Sequence, residues 1–234
     1  MELEILITVY NEGNRLEAVV AGIQRELSTK NLEYCITILN DGSTDWSMER
    51  EKRLTAGRFV KVIHFDANRG KGAVLNAILS SLKETVTVVI DADYEYNPSD
   101  IESVVKPLFQ NKADWVLGSR YGFGRRRPKQ YFLTFMANRF FNALFNLLSG
   151  LNLNDLLSGL FAFRTEMVQG IALEQQRFSF TPEMTWKVER SHHPRWLEVP
   201  ISYRFRTYSE GKKIAWWEFF TVTWAILWYR FERI

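Results

Sequence analysis

Four runs rich in β-branched residues, LEILITVY, YCITIL, FVKVIHF and VTVVI, alternate through the first half of the chain with LEAVVAGIQREL, GAVLNAILSSLK and IESVVKPLF, whose apolar positions recur at helical spacing. This alternation leaves few options. Strands separated by helical crossovers pair in parallel, so repeated units build a parallel sheet covered by helices on both faces. Ligands of such sheets bind beyond the carboxyl ends of the strands. A polar cluster falls at each of those ends: YNEGN, NDGSTD, DANRGKG and DADYEYNP. The expected class is α/β, and 234 residues with 46% hydrophobic content suffice for one unit with a sizeable core.

The bulk numbers exclude more than they assign. A formal net charge of +3 is too small for the broad basic face of a nucleic-acid binder, so no nucleic-acid partner is expected. The single cysteine, Cys35, lies in a strand-like run, excludes an intrachain disulfide and reads as a core residue. MELEILITVYNE enters an alternating strand directly, without the basic and apolar regions of a secretory leader. His64, His192 and His193 fall outside the polar clusters and read as surface or packing residues.

The composition changes near Gly122. A basic loop, GFGRRRPKQ, carries Arg125, Arg126, Arg127 and Lys129, and it leads into the aromatic-rich run YFLTFMANRFFNALFNLLSGLNL. Asn138, Asn142, Asn146 and Ser149 recur there every three or four residues, a narrow polar stripe on an otherwise apolar helix. Two placements answer to that pattern: the centre of the core, or a membrane surface beside the basic cluster. The run AWWEFFTVTWAILWYRFERI, Ala215 to Ile234, is likewise aromatic, but Glu218 and Arg230 argue against its crossing a bilayer. Aromatic rings suit the water–lipid boundary, and equally a helix docked on its own domain.

Of the strand-end clusters, NDGSTD has the composition of a turn with a helix cap. NRGKG lets backbone amides approach a phosphate beside Arg69 and Lys71, yet it is neither a P-loop nor GxGxxG; YNEGNR after the first strand argues against NAD. DADYEYNP is more specific. Carboxylates at i and i+2 leaving a strand, Asp91 and Asp93, can point the same way, and hard oxygen ligands suit Mg2+ or Mn2+ bound together with substrate phosphates. An Asx-type turn ending at Asn97-Pro98, before a helix capped near Ser99, is the plainer alternative.

YNE (Tyr10 to Glu12), NDGSTD, NRGKGAVLNA, DADYEYNP, GSRYG (Gly118 to Gly122), NDLLSGLFAFR (Asn154 to Arg164) and EVPISYRFRTYSEGKKI (Glu198 to Ile214) follow one another in this order. In that succession the chain resembles the family 2 glycosyltransferases, specifically the dolichol- or polyprenyl-phosphate mannose synthase type. The resemblance implies a GT-A, Rossmann-like, mostly parallel sheet flanked by helices, with amphipathic membrane-interface helices in the second half. It implies one domain over residues 1–234, with the nucleotide sugar held by 1–121 and the acceptor and membrane met by 122–234. Thr8, Tyr10, Glu12 and Asp41 would line the nucleotide pocket, with Lys71 beside the phosphates. Asp91 and Asp93, with Glu95 assisting, would hold Mg2+ or Mn2+ on the diphosphate, and Arg120, Arg206 and Lys212 would clamp phosphate. Asp93, Arg120 and Arg206 would be the catalytic set.

Three positions depart from the family pattern: Thr8 replaces a proline, Asn40 stands where aspartate is commoner, and Phe205 replaces a proline between Arg204 and Arg206. They bear on the choice of donor more than on the reaction. Many relatives continue into transmembrane helices after EGKKI; with none before Ile234, the expected attachment is peripheral, on the cytoplasmic face of a membrane. The expected activity is inverting transfer of a hexose from a nucleotide sugar to a polyprenyl or dolichyl phosphate. Two alternatives stand beside it: transfer to a saccharide or protein hydroxyl with Asp155 or Glu183 as base, and a non-catalytic membrane-associated scaffold that binds nucleotide.

Overall fold

The sheet has seven strands, β1 (Leu3–Val9), β2 (Tyr34–Asn40), β3 (Val60–His64), β4 (Val86–Asp91), β5 (Trp115–Ser119), β6 (Phe161–Arg164) and β7 (Trp196–Pro200), in the order β3-β2-β1-β4-β6-β5-β7. The computed structural model describes residues 2–30, 32–56, 59–121, 132–205 and 216–232. Every residue of β1 is buried, which is why its sequence reads as a nearly continuous apolar run. Leu3, Ile5, Ile7 and Val9 of β1 face one core and Leu6 faces the other, as the two-residue period of a strand requires.

Helices fill both faces. On the first, α1 (Arg15–Ser28) buries Leu16, Val19, Val20, Ile23 and Leu27, a stripe at helical spacing, and α4 (Ile101–Phe109) buries Ile101, Val104, Val105 and Leu108. The second core gathers residues of α3 (Lys71–Leu79), α5 (Phe132–Ser149), α6 (Phe180–His192) and α7 (Glu218–Phe231). A short helix, α2 (Met48–Thr55), starts from Ser47, whose hydroxyl accepts from the Arg50 amide.

Only β6 runs against its neighbours, pairing antiparallel with β4 and with β5. That reversal has a functional result. Residues that precede β6 arrive at the carboxyl edge of the sheet, beside the end of β4. Residues after β7, which is parallel to β5, leave at the same edge. Two segments of the second half thus join the four strand-end clusters of the first.

The structure resolves how α5 sits, and neither simple placement describes it. Phe141 and Phe145 enter the second core, but the polar stripe faces the protein too. The Asn142 amide donates to the Asn154 carbonyl (2.6 Å) while its oxygen accepts from the Leu156 amide (2.9 Å). Asn146 makes the same pair of bonds with Leu153 (2.8 and 3.0 Å), and Asn138 donates to the Tyr121 hydroxyl (3.0 Å). What points outward is apolar: Leu133 and Leu147 are 80% and 81% exposed, and Phe132, Met136 and Phe140 are exposed beside them. α7 continues this face, for Val222, Ala225, Ile226 and Tyr229 are buried while Phe220, Trp224, Leu227, Trp228 and Phe231 are exposed. Phe140 of α5 stacks on Phe219 of α7 at 5.3 Å. Among the described residues no helix is long and apolar enough to cross a membrane.

Candidate active site

The loop after β1 is pinned to the loop after β2. Asn11, in the left-handed region at φ 54°, accepts from the amides of Thr44 (2.8 Å) and Asp45 (3.4 Å), and the Gly13 amide donates to the Asp45 carboxylate (2.8 Å). Glu12 pairs with Arg15 at 3.0 Å, and Tyr10 is exposed. Asp41 is buried, and its carboxylate accepts from Asn68 Nδ2 (3.0 Å) and from the amides of Arg69 (2.7 Å) and Gly70 (2.8 Å). Its role in the structure is therefore to shape the NRGKG turn. Gly70 is required there: its φ is +89° and a Cβ would stand 2.4 Å from the Gln176 carbonyl oxygen.

Lys71 opens α3 and reaches Asp91 at 2.7 Å, and Thr8, opposite Asp91 in the β1–β4 register, donates to the same carboxylate at 3.0 Å. Asp93 stands apart. Strand β4 ends at Asp91, and Asp93 accepts from the Glu95 amide at 3.0 Å in an Asx turn whose Tyr94 has φ 61°. Asn97 caps the following turn by accepting from the Ser99 amide. The turn reading thus describes DADYEYNP locally. Asp93 lines a cavity of about 610 Å3 together with Asn11, Glu12, Arg15, Tyr94 and Arg204.

Two of the expected site residues have partners within the fold. The Glu95 carboxylate is buried and accepts from the Tyr203 hydroxyl. Among the described residues no three acidic, His or Cys side chains come together at metal-binding distance. Arg120 turns its fork to Asp155, Nε to Oδ2 at 2.8 Å and Nη2 to Oδ1 at 2.7 Å. Its guanidinium lies between the rings of Tyr121 and Tyr203, 5.5 and 5.2 Å from their centroids. Burial opposes the charge on Arg120, yet Asp155 outweighs it and holds the guanidinium pKa above its ordinary value. Burial pushes the Tyr203 and Tyr96 phenols far up, so both stay neutral.

The two carboxylates considered as bases are equally committed. Asp155 is fully buried on Arg120. Glu183, also fully buried, pairs with Lys187 at 2.7 Å and accepts from the amides of Glu174 and Gln175. Arg206, Lys212 and the Arg125–Lys129 cluster lie outside the described residues.

Sequence reasoning missed the residues that build this corner. Glu198 accepts from the amides of Asn154 and Asp155, both at 2.9 Å, and burial raises its pKa. With Asn142 and Asn146 it fixes the loop that presents Asp155 to Arg120. Tyr203 ties the segment after β7 to the end of β4, through Glu95 and a bridge with Tyr96. The advance signs were the period of the asparagine stripe and the place of Asn154, Asp155, Glu198 and Tyr203 in two of the quoted motifs.

A mostly parallel sheet with helices on both faces, one reversed strand, and an acidic turn beside a polar cavity at its carboxyl edge is the GT-A, Rossmann-like architecture of nucleotide-sugar transferases. The chain belongs to glycosyl transferase family 2, whose family model matches residues 4–171. It is 29% identical over 217 residues to a dolichol-phosphate mannosyltransferase of Pyrococcus furiosus, an alignment covering 91% of this chain and 59% of that protein. It is 24% identical over 212 residues to an undecaprenyl-phosphate 4-deoxy-4-formamido-L-arabinose transferase of Edwardsiella ictaluri, covering 90% of this chain and 62% of the relative. The chain thus spans about three fifths of these two relatives. Among solved structures, glucosyl-3-phosphoglycerate synthase from Mycobacterium tuberculosis superposes with a TM-score of 0.72 at 18% identity, over 97% of this chain and 79% of that one. The same enzyme with Mn2+, UDP-glucose and phosphoglyceric acid gives 0.70 at 19%, over 98% and 79%. These likenesses show the fold.

Proposed function

We propose that the protein is an inverting glycosyltransferase that moves a hexose from a nucleotide sugar, of the GDP-mannose or UDP-glucose type, to a polyprenyl or dolichyl phosphate at a membrane surface. The observation that carries the acceptor is the apolar face of α5 and α7. α5 spends its polar stripe on the loop that holds Asp155, so one helix links an exposed greasy surface to the site corner. The two polyprenyl- and dolichol-phosphate transferases among the relatives support the same class of acceptor. In this reading residues 1–121 hold the donor and 122–234 meet the acceptor.

The donor's place is the carboxyl edge, with Tyr10 and Glu12 at the mouth of the β1 loop and Arg15 and Arg204 lining the cavity near the diphosphate. Arg206 and Lys212 remain the proposed phosphate contacts, by their chemistry and position in the motif. The residues present fit a divalent cation. Asp93 offers a hard oxygen to a cavity that also holds arginines, and a protein that supplies few ligands suits Mg2+ or Mn2+, which keep waters and phosphate oxygens in their shell. When bound through Asp93, such a cation would offset the charge of the leaving nucleoside diphosphate.

A phosphate acceptor is already largely anionic at neutral pH, since its second pKa is about 6, so the chain need not supply a general base. The burial and ion pairing of Asp155 and Glu183 agree with this and weigh against a hydroxyl acceptor, which would call for one. The work left to the protein is to align two anions and to neutralise them. Incubation with labelled nucleotide sugars, polyprenyl phosphate and Mn2+ tests the assignment: a lipid-linked sugar is expected from at least one donor, and none from any donor refutes it.

The membrane side has its own test. Neutral phosphatidylcholine vesicles should float the protein, and high salt should leave much of that binding, because the exposed face is aromatic. Replacing the stacked pair Trp224 and Trp228 by serine should weaken partitioning by roughly tenfold to a hundredfold, at about 1.5–3 kcal/mol for the two half-exposed rings together. Flotation identical to the parent would reject the α5–α7 face as the contact.

A further inference from the structure

The NRGKG turn is laid against a segment about a hundred residues further along the chain. Lys71 is held on both sides: the Gly70 amide donates to Asp41 (2.8 Å) and the Gly72 amide to the Gln176 carbonyl (2.7 Å). The two backbones touch here, for a Cβ at Gly72 would overlap the Gln175 carbonyl oxygen and the Phe180 side chain. Further along α3, Asn76 accepts from the Leu173 amide at 2.7 Å. Residues 173–176 thus form a rail along the start of α3, with Lys71 at its head.

The rail has no helix or strand of its own, and two buried side chains hold it. Glu183 of α6 accepts from the amides of Glu174 (2.7 Å) and Gln175 (2.8 Å), while its partner Lys187 donates to the Ala172 carbonyl (2.8 Å). Tyr229 of α7 holds it a second time: the phenol oxygen accepts from Gln175 Nε2 at 3.1 Å and donates to the Glu174 carboxylate at 3.3 Å. Burial pushes the Tyr229 phenol up, so it keeps the proton that it donates.

We propose that Tyr229 and Glu183 are positioning residues of the donor site: through residues 173–176 they fix the NRGKG turn, and so the Lys71 ammonium, beside the diphosphate of the nucleotide sugar. The inference rests on the donor site proposed above. It gives α7 a task on each face, the outer aromatic one toward lipid and Tyr229 toward the turn. Glu183 then acts on the donor only through backbone amides, and never as a base. A turn freed from its rail keeps its charge but must be ordered again when the donor binds, which weakens binding and spares the rate at saturation.

Two readouts test this. By hydrogen–deuterium exchange, residues 69–76 should open at least about tenfold faster in Tyr229→Phe than in the parent. Tyr34→Phe, on β2 at the other edge of the sheet, should leave them unchanged. By calorimetry with GDP and UDP in the presence of Mn2+, Tyr229→Phe and Glu183→Gln should each bind nucleotide about five- to twentyfold more weakly, and Tyr34→Phe within about twofold of the parent. In the transfer assay the KM for the donor should rise in the same proportion, with kcat within about threefold. Should Glu183→Gln fail to fold, Tyr229→Phe, which keeps its ring in the core, carries the test alone.

Parental exchange or parental nucleotide affinity in Tyr229→Phe overturns the inference and leaves the transferase assignment standing. So does an equal fall in Tyr34→Phe, which would mark general loosening, or a loss confined to kcat in Glu183→Gln, which would make that carboxylate a base. A parent that binds neither nucleotide overturns the donor site and the inference with it.

Discussion

The Asp93→Asn protein should transfer sugar about a thousandfold more slowly than the parent, a loss of about 4 kcal/mol of transition-state stabilisation. Asp93 accepts from the Glu95 amide, and an asparagine oxygen accepts the same bond in the same kind of turn. What asparagine lacks is the negative charge that would hold a divalent cation on the departing diphosphate. Rates should be compared at saturating donor and Mn2+, with thermal unfolding measured on the same samples. Product formed at the parental rate would remove Asp93 from the mechanism, and a large fall in melting temperature would show that the turn needs the charge.

The second large effect is on stability. Asp155→Ala should cost about 3–5 kcal/mol in denaturant unfolding, because it leaves the buried Arg120 guanidinium without its carboxylate. The companion change Arg120→Met should recover much of that loss when added to it, since two apolar groups in place of a buried ion pair are often tolerated. A single-site cost below about 1 kcal/mol would mean that water reaches Arg120. The pair matters beyond energy: Arg120 stacks on Tyr203, and Tyr203 anchors the segment that runs on to Arg206. The proposed phosphate contact Arg206 therefore follows in the chain directly on the cluster that stabilises the fold.

These effects also show what the sequence could disclose. β1, β2 and β4 and their terminal clusters were readable, because strands buried on both faces appear as nearly unbroken apolar runs with turn residues behind them, and part-buried β3 was readable by its β-branched residues. β6 was not readable as a strand: Phe161–Arg164 has four residues, and its direction depends on neighbours far away in the chain. The asparagine stripe of α5 was visible by its period, but a period gives the spacing of a stripe and not what the stripe faces. Here it faces backbone groups of a loop, which no local pattern reports.

The spacing of Asp91 and Asp93 says less than it would inside a strand. Side chains at i and i+2 share a direction only while the strand continues, and β4 stops at the first of them. The Arg120–Asp155 pair joins residues 35 positions apart, and only the completed sheet brings them together. Thr8, Tyr10, Asp91 and Lys71 were picked out individually. That Lys71 and Thr8 meet on the Asp91 carboxylate needed coordinates.

The inward turn of the α5 asparagines carries a practical corollary for handling the protein. An ordinary amphipathic helix can settle its oily side against its own body, but this one is locked, since rolling it would break the bonds from Asn142 and Asn146 to residues 153–156. Among the described residues that side is exposed, so in plain buffer packing against another copy is one way to shield it. Dilute detergent or a nanodisc should keep preparations monodisperse where concentrated aqueous stocks cloud.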